Sequence, residues 1–401
     1  MTTTARLLDP GVLALLASLP PYDPAEAGRL DARLRAEGLD GELVATLLTQ
    51  LRLRTRAREK FGDFAATMLF TEDGLQQATR LAVAAHHANR YRAAGCRHVA
   101  DLGSGIGADS LALAGLGIRV DAVEVDEETA ALAMVNLMPF PNARVLHADA
   151  LTLDLSPYDG LFADPARRGP TGRVLDPASW TPPLPAVLAL RTRIPELGVK
   201  VAPGIRHDDL PGDAHAQWVS VDGDVVEAAL WFGGLADAPG RSALVLRHGR
   251  PALLATAATP DASPGVAPTG PLRRFLHEPD GAVIRAGGVA TLAERLGATV
   301  VSDSIAYLTS DSGAPTPFAE TFEVLDHFPY SRKRLAAHLA ARGVGRLEIK
   351  KRGVDVVPDR LRTQLRLRGD GEATVILTRL EGRHSAVIVR RTAGGQGTID
   401  P

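Results

Sequence analysis

The spacing of apolar side chains changes character twice along the 401 residues. Up to residue 95 it is helical: Val44, Leu47, Leu48 and Leu51 recur at intervals of one helical turn, and Arg52, Arg54, Arg56, Arg58 and Lys60 trail behind them. The pattern predicts an amphipathic helix over 41–59 and another over 24–37 with Asp23 as its cap. Thr71 is placed to cap a third, running to residue 94. From residue 98 short apolar runs take over, at 99–102, 120–125, 144–147 and 158–163, and helical stretches separate them, the longest at 127–137 and stopped by Pro139 and Pro141. Strands that alternate with helices predict parallel βαβ units. A fifth strand is expected at 198–202, then a hairpin of 218–221 and 225–232 about Asp222-Gly223-Asp224, and another over 242–255 about His248-Gly249.

Beyond residue 258 the rhythm shortens. Residues 259–271 are dense in Pro, Ala, Gly and Ser, as a linker is. Helices are expected at 287–296, 332–342 and 357–365, strands at 299–305, 321–325 and 347–352, and a hairpin from 373–379 and 385–391. The predicted organisation is a helical cap (1–95), a doubly wound α/β domain (96–255), a linker (256–271) and two small α+β domains (272–345 and 346–401). No repeat of fixed period is present.

Composition adds little until charge is mapped. Apolar residues make up 45% and charged ones 23%, ordinary for soluble globular protein. The single Cys96 can form no internal disulfide, which suits a reducing cytosol, and its place before the first strand reads as a buried structural thiol. No apolar run reaches the ~18 residues of a membrane span, and the first residues lack a signal core, so a cytoplasmic protein without a membrane partner is expected. The net charge of −2 is unevenly spread, because residues 331–400 hold sixteen Lys or Arg against seven Asp or Glu. A basic end on an acidic body predicts a docking surface for a polyanion, with a solvated arginine-rich face as the alternative. There is no His-Glu-x-x-His, no pair of cysteines and no Gly-x-x-x-x-Gly-Lys-Ser/Thr, so neither a metal site nor a phosphate loop is predicted.

The candidate chemistry sits at the ends of the first four strands. Asp101-Leu-Gly-Ser-Gly-Ile-Gly107 follows strand one, and its glycines permit a sharp turn and close approach of backbone to a ligand. The helix behind it would aim unpaired N–H groups at the ligand's polar end. Glu124 ends strand two, where a doubly wound sheet presents a carboxylate to ribose hydroxyls. Gly103, Gly105 and Ala108 also satisfy the dinucleotide pattern, so the loop alone leaves nicotinamide and flavin open. His147-Ala-Asp149-Ala150 follows strand three and Phe162-Ala-Asp164-Pro165 ends strand four. Residues 164–172, Asp-Pro-Ala-Arg-Arg-Gly-Pro-Thr-Gly, are turn-formers and predict an irregular loop at the ligand-holding edge.

These pieces, with Met68-Leu-Phe-Thr71, Asp164-Pro-Ala-Arg-Arg168, Glu278-Pro279, Ile284-Arg-Ala-Gly287 and Leu347-Glu-Ile-Lys-Lys-Arg-Gly353, resemble the class I S-adenosylmethionine (SAM)-dependent methyltransferases that carry a ferredoxin-like segment and a C-terminal THUMP-like domain. The resemblance implies a Rossmann-like seven-stranded sheet, with the ferredoxin-like segment at 272–345 and the THUMP-like domain at 346–401. It implies SAM as cofactor, with Asp101 near its methionine end, Gly103, Ser104, Gly105 and Gly107 forming the loop, and Glu124 and Val125 beside the ribose. Asp149 and Ala150 would meet the adenine, Asp164 would close the far side, and Phe70 and Thr71 would wall the pocket. THUMP domains present structured RNA such as tRNA or rRNA to an attached enzyme, which makes structured RNA the implied partner. Asp164-Pro165 is similar to the acceptor motif of amino-methylating members, but Ala166 and Arg167 stand where these have Pro and an aromatic ring. A looser likeness of Phe70-Thr71 to cap-trimethylating enzymes implies a guanine amine as acceptor.

On this reading Asp164 and the carbonyl of Pro165 accept the hydrogens of an exocyclic amine, and Arg167 grips or stacks on the base. Arg168, Arg332, Lys333, Arg334, Lys350, Lys351 and Arg352 would supply RNA affinity that weakens with salt. Two alternatives stay open: a methyltransferase for a small molecule or protein, and a catalytically silent RNA-binding module.

Overall fold

A capping side chain opens the longest helix of the N-terminal segment, whereas the helix expected from residue 24 starts at Ala27 with no side-chain cap from Asp23. Asp40 accepts from the backbone N–H groups of Glu42 and Leu43 and so opens α4 (Gly41–Phe61), after α1 (Thr3–Leu7), α2 (Pro10–Ser18) and α3 (Ala27–Ala36). In this computed structural model, which describes residues 3–166, 168–169, 172–173 and 176–392, the chain forms two compact units. The first comprises residues 1–201 and 229–238, the second residues 202–228 and 239–401.

The helix expected from Thr71 to residue 94 is two: α5 (Glu72–Gln77), capped by Thr71, and α6 (Leu81–Ala93). The break is held by Lys60, whose ammonium donates to the carbonyls of Leu75, Gln76 and Ala78 and so satisfies the end of α5. Five parallel strands follow, β1 (His98–Leu102), β2 (Arg119–Glu124), β3 (Ala143–His147), β4 (Gly160–Ala163) and β5 (Leu197–Val201), in the order β3-β2-β1-β4-β5. Helices α7 (Ala108–Gly115) and α8 (Glu127–Leu137) make the first two crossovers, and α9 (Leu184–Ala189) precedes β5. The cap is not a separate body: Leu53, Ala57, Phe61 and Phe70 share one buried cluster with Ile106, Leu111, Ala122 and Leu137. Cys96 is buried, its thiol donates to the Asp159 carbonyl at 3.4 Å, and burial pushes it up to about 12, as befits a structural thiol.

In the second unit β6 (His215–Val221) runs into β7 (Asp224–Trp231), whose last residues count with the first unit, through a turn in which Asp222 and Gly223 both have positive φ. β8 (Gly240–Arg247) lies parallel to β6 and antiparallel to β9 (Arg250–Ala257). The complete strand order is β9-β8-β6-β7-β5-β4-β1-β2-β3. The sheet therefore has nine strands where seven were expected, because the hairpin predicted at 242–255 joins it.

A second sheet contains β10 (Phe275–Pro279), β11 (Thr299–Val300), β12 (Leu308–Ser310), β13 (Ala319–Pro329), β14 (Val344–Lys351), β15 (Gly371–Leu380) and β16 (Arg383–Arg391), in the order β11-β12-β10-β13-β16-β15-β14. Helices α10 (Gly281–Arg285) and α11 (Val289–Leu296) follow β10, and α12 (Arg332–Ala340) and α13 (Pro358–Leu365) bury Leu335, Leu339, Leu361 and Leu365 against Val375, Leu377, Ala386 and Ile388. The division drawn at 345 falls inside this sheet. The strand expected at 299–305 is only two residues long, while that at 321–325 extends to eleven.

Candidate active site

The strand order reverses direction between β1 and β4, and in an open α/β sheet the crevice there, at the carboxyl ends, holds the ligand. Gly103, Gly105 and Gly107 all have positive φ, and a Cβ on Gly103 would stand 3.1 Å from the Asp164 carbonyl oxygen, so only glycine lets the two strand ends approach this closely. Around Gly105, by contrast, a Cβ would meet nothing within 4 Å.

The loop's own N–H groups are mostly spent within the fold. Gly103 and Ser104 donate to the Val123 carbonyl, Gly107 to that of Ser104, and Gly105 to the Glu124 carboxylate at 2.9 Å. Ser110, in the first turn of α7, gives both its N–H and its hydroxyl to Asp101, the latter at 2.6 Å. Asp101 is thereby turned inward against the helix it caps. Burial, with Asp109 as a second cause, raises its pKa above the usual carboxylate range. Burial pushes Asp109 up as well, but the hydrogen bond and charge of His87, 2.8 Å away, together with Lys200 and Thr79, hold it low.

Glu124 receives the N–H of Gly105 on one oxygen and that of Asp126 on the other, each at 2.9 Å, and a carboxylate so oriented keeps lone pairs for diol hydroxyls. Val125, next along, is 60% exposed, an apolar side chain presented at a strand end. Asp149 forms an exposed turn through the Leu151 N–H, and Ala150 is buried beneath it. Phe70 faces the core, its ring 5.7 Å from that of Phe61 and its backbone paired with the Gln50 amide, while Thr71 caps α5 through the Gly74 N–H. This segment nonetheless borders the glycine loop: a Cβ on Gly74 would fall 2.8 Å from Ile106.

Asp164 is half-buried and paired with Lys200 on β5, Nζ to Oδ2 at 2.7 Å; Pro165 is buried and Ala166 exposed. Among the described residues after it, Ala166 bridges to Thr181, and Arg168–Gly169 pairs antiparallel with Gly172–Arg173. Arg167 lies outside the described residues, as does the side chain of Arg168.

The residues that sequence reasoning missed are those that hold the site together. Asn136 on α8 accepts from the Leu69 N–H and donates to the carbonyls of Leu69 and Ile106. Lys200 donates to Thr79 as well as to Asp164. A polar residue inside a buried strand or helix was the available signal.

The basic residues of the second unit part into two groups. Lys350 is half-buried between Glu278 and Glu320, 2.7 and 2.8 Å away, and Arg352 lies over the Tyr307 ring 3.9 Å from Glu278, so neither is an open phosphate ligand. The arginine-rich end of α4 is similarly engaged, Arg52 and Arg56 with Glu72 and Arg54 with the Met68 carbonyl. Arg332, Lys333, Arg334 and Lys351 are exposed; Arg332 donates to Gln364 and Arg334 covers the Phe328 ring. Among the described residues no group of three His, Cys, Asp or Glu could hold a metal ion, and no helix is long and apolar enough to cross a membrane.

Comparison with known proteins decides the family. An uncharacterized SAM-dependent methyltransferase of Mycobacterium tuberculosis, from strain CDC 1551 / Oshkosh and again from strain ATCC 25618 / H37Rv, is 35% identical over 353 residues, 85% of this chain and 94% of the relative. The chain belongs to the SAM-dependent methyltransferases. The fold agrees: a crystal structure from Porphyromonas gingivalis W83, assigned as a methyltransferase, superposes with a TM-score of 0.69 at 20% identity, covering 93% of this chain and all of that one. A family model described as THUMP domain-like matches residues 319–391, from the first residue of β13 to the last of β16. Another, described as a domain of unknown function (DUF8688), matches residues 1–57.

SAM is therefore the cofactor of this methyltransferase, and the crevice fits it. Space lies open around Gly105, the Ser104 hydroxyl is buried with no hydrogen-bond partner among the described residues, and Glu124 and Val125 offer a carboxylate and an apolar surface side by side. A pyrophosphate would ask for several outward N–H groups, which this loop uses internally.

Proposed function

We propose that this methyltransferase modifies a nucleobase nitrogen of a structured RNA, a tRNA or rRNA. When bound, SAM supplies a methyl group made electrophilic by its sulfonium. What the chain adds is placement of the acceptor lone pair on the displacement axis. The observation that carries the reading is the Asp164 carboxylate just past β4, 27% exposed beside the glycine loop; the carbonyl of Pro165 would be the second acceptor. An amine that gives its hydrogens to these two groups directs its lone pair away from them, and the carboxylate offsets the positive charge that develops on nitrogen.

The RNA part of the reading is supported by the THUMP domain-like match and by exposed Arg332, Lys333, Arg334 and Lys351 in the same unit. Gly103, Ser104, Gly105, Gly107, Glu124, Val125, Asp149 and Ala150 line the strand ends that would hold the cofactor, with Asp101 behind them; Phe70 and Thr71 support that wall from outside. The test is incubation with labelled SAM and total RNA from a strain lacking the protein, followed by nucleoside mass spectrometry. Label in one methylated nucleoside, lost with Asp164→Ala, is the expected result. Label confined to protein or small molecules would refute it.

A further inference from the structure

Strand β5 reads Leu197-Gly-Val-Lys-Val201, and all five residues are buried. An ammonium inside such a strand is expensive to desolvate, and a buried ion pair is often no more stabilising than apolar residues of the same volume. Lys200, with its side chain 5% exposed, is therefore not accounted for by packing. Its ammonium donates to Asp164 Oδ2 at 2.7 Å and to Thr79 Oγ1 at 3.0 Å, with the Gln77 carbonyl at 3.5 Å. Thr79 in turn bonds the Asp109 carboxylate, which holds His87. One continuous polar chain thus runs from α6 and α7, behind the glycine loop, to the carboxylate at the acceptor end.

We propose that Lys200 is a positioning residue for methyl transfer: it fixes the rotamer and the negative charge of Asp164 against the acceptor and takes no part in holding SAM. The inference rests on the reading that Asp164 meets the acceptor. An ammonium with its donors so directed has no lone pair to serve as a base, so its effect passes through the carboxylate. By anchoring one oxygen to β5, Lys200 takes from Asp164 the freedom to swing toward solvent. A carboxylate anchored in this way suits an acceptor that brings N–H groups to a fixed place.

The experiment uses the full chain and four variants, Lys200→Met, Lys200→Arg, Asp164→Asn and the double variant Asp164→Asn/Lys200→Met, each measured for RNA methylation, SAM affinity by calorimetry and thermal midpoint. Lys200→Met is expected to lower kcat at least about tenfold while SAM affinity stays within about twofold and the midpoint is kept, and Lys200→Arg is expected to recover part of the loss. Once Asp164→Asn is present, adding Lys200→Met is expected to change kcat by less than about twofold, because the two residues act as a unit. Full activity of Lys200→Met alongside an inactive Asp164→Asn would overturn the role of Lys200 alone. Equal losses of kcat, SAM affinity and midpoint, or an arginine variant no better than methionine, would reduce Lys200 to a structural residue. A fully active Asp164→Asn would overturn the reading of Asp164 and this inference with it.

Discussion

Two buried carboxylates, Asp101 in β1 and Asp109 in the first turn of α7, illustrate how the site is tuned residue by residue. Burial raises Asp101, whereas His87 holds Asp109 low. Above the ordinary aspartate value of ~3.9 the unfolded chain has released the proton that native Asp101 still binds, so this group lowers stability as pH rises until it ionises in the native state. Asp109 acts in the opposite sense, contributing stability that is lost as pH falls below that value. Asp101→Asn is expected to remove the alkaline decline, so urea midpoints of variant and parent should separate in the variant's favour between pH 5 and pH 8; parallel curves would disprove it. Glu124 is a second case. Its two backbone hydrogen bonds orient it, and Glu124→Ala is expected to weaken SAM binding by about 10-fold to 100-fold in calorimetry, the range for losing a charged hydrogen-bond partner. Glu124 and Asp164 were legible because chemistry-bearing residues at strand ends stand out from apolar runs. Lys200, Asn136 and His87 were not, since each sits inside an element whose period assigns it no partner.

At the scale of elements, the segment before β1 is tied to the glycine loop by one amide. Asn136 makes three buried hydrogen bonds, to Leu69 twice and to Ile106 once. Asn136→Ala would leave these backbone groups buried and unpaired, and the expected loss is about 3 kcal/mol in urea unfolding, accompanied by weaker SAM binding. A loss under about 1 kcal/mol would mean that the backbone finds other partners. Periodicity located nearly every long element here: the helix expected over 41–59 is Gly41–Phe61, and both hairpins turn at the dipeptides that favour positive φ. It failed where a distant side chain decided the outcome. Lys60 ends α5 at a place no local signal marks, and Gly198 is required because a Cβ there would lie 2.5 Å from the Trp231 ring, a neighbour supplied by β7.

Over the whole molecule, charge is distributed by function more than by count. Lys350 is one of the sixteen basic residues of the last seventy, yet two glutamates neutralise it. RNA affinity of the full chain is expected to fall with salt, and reversing Arg332 and Lys333 together to Glu is expected to flatten the log–log slope by about 2. Lys350→Gln is expected to lower the melting temperature and leave that slope unchanged; a slope that responds to Lys350 instead would move the RNA surface onto the sheet. The uneven charge was legible from sequence alone, but which cations already had partners depended on pairings such as Glu278 with Lys350, 72 positions apart.

Strand β13 gives one flank to β10 and the other to β16. A gene cut between β10 and β13 would bare the amide edge over Ala319–Glu323, and one between β13 and β16 the edge over Phe322–Pro329, each ready to recruit an extended peptide nearby. The stretch from β10 to β16 is thus one sheet, and the THUMP domain-like similarity begins part-way through it.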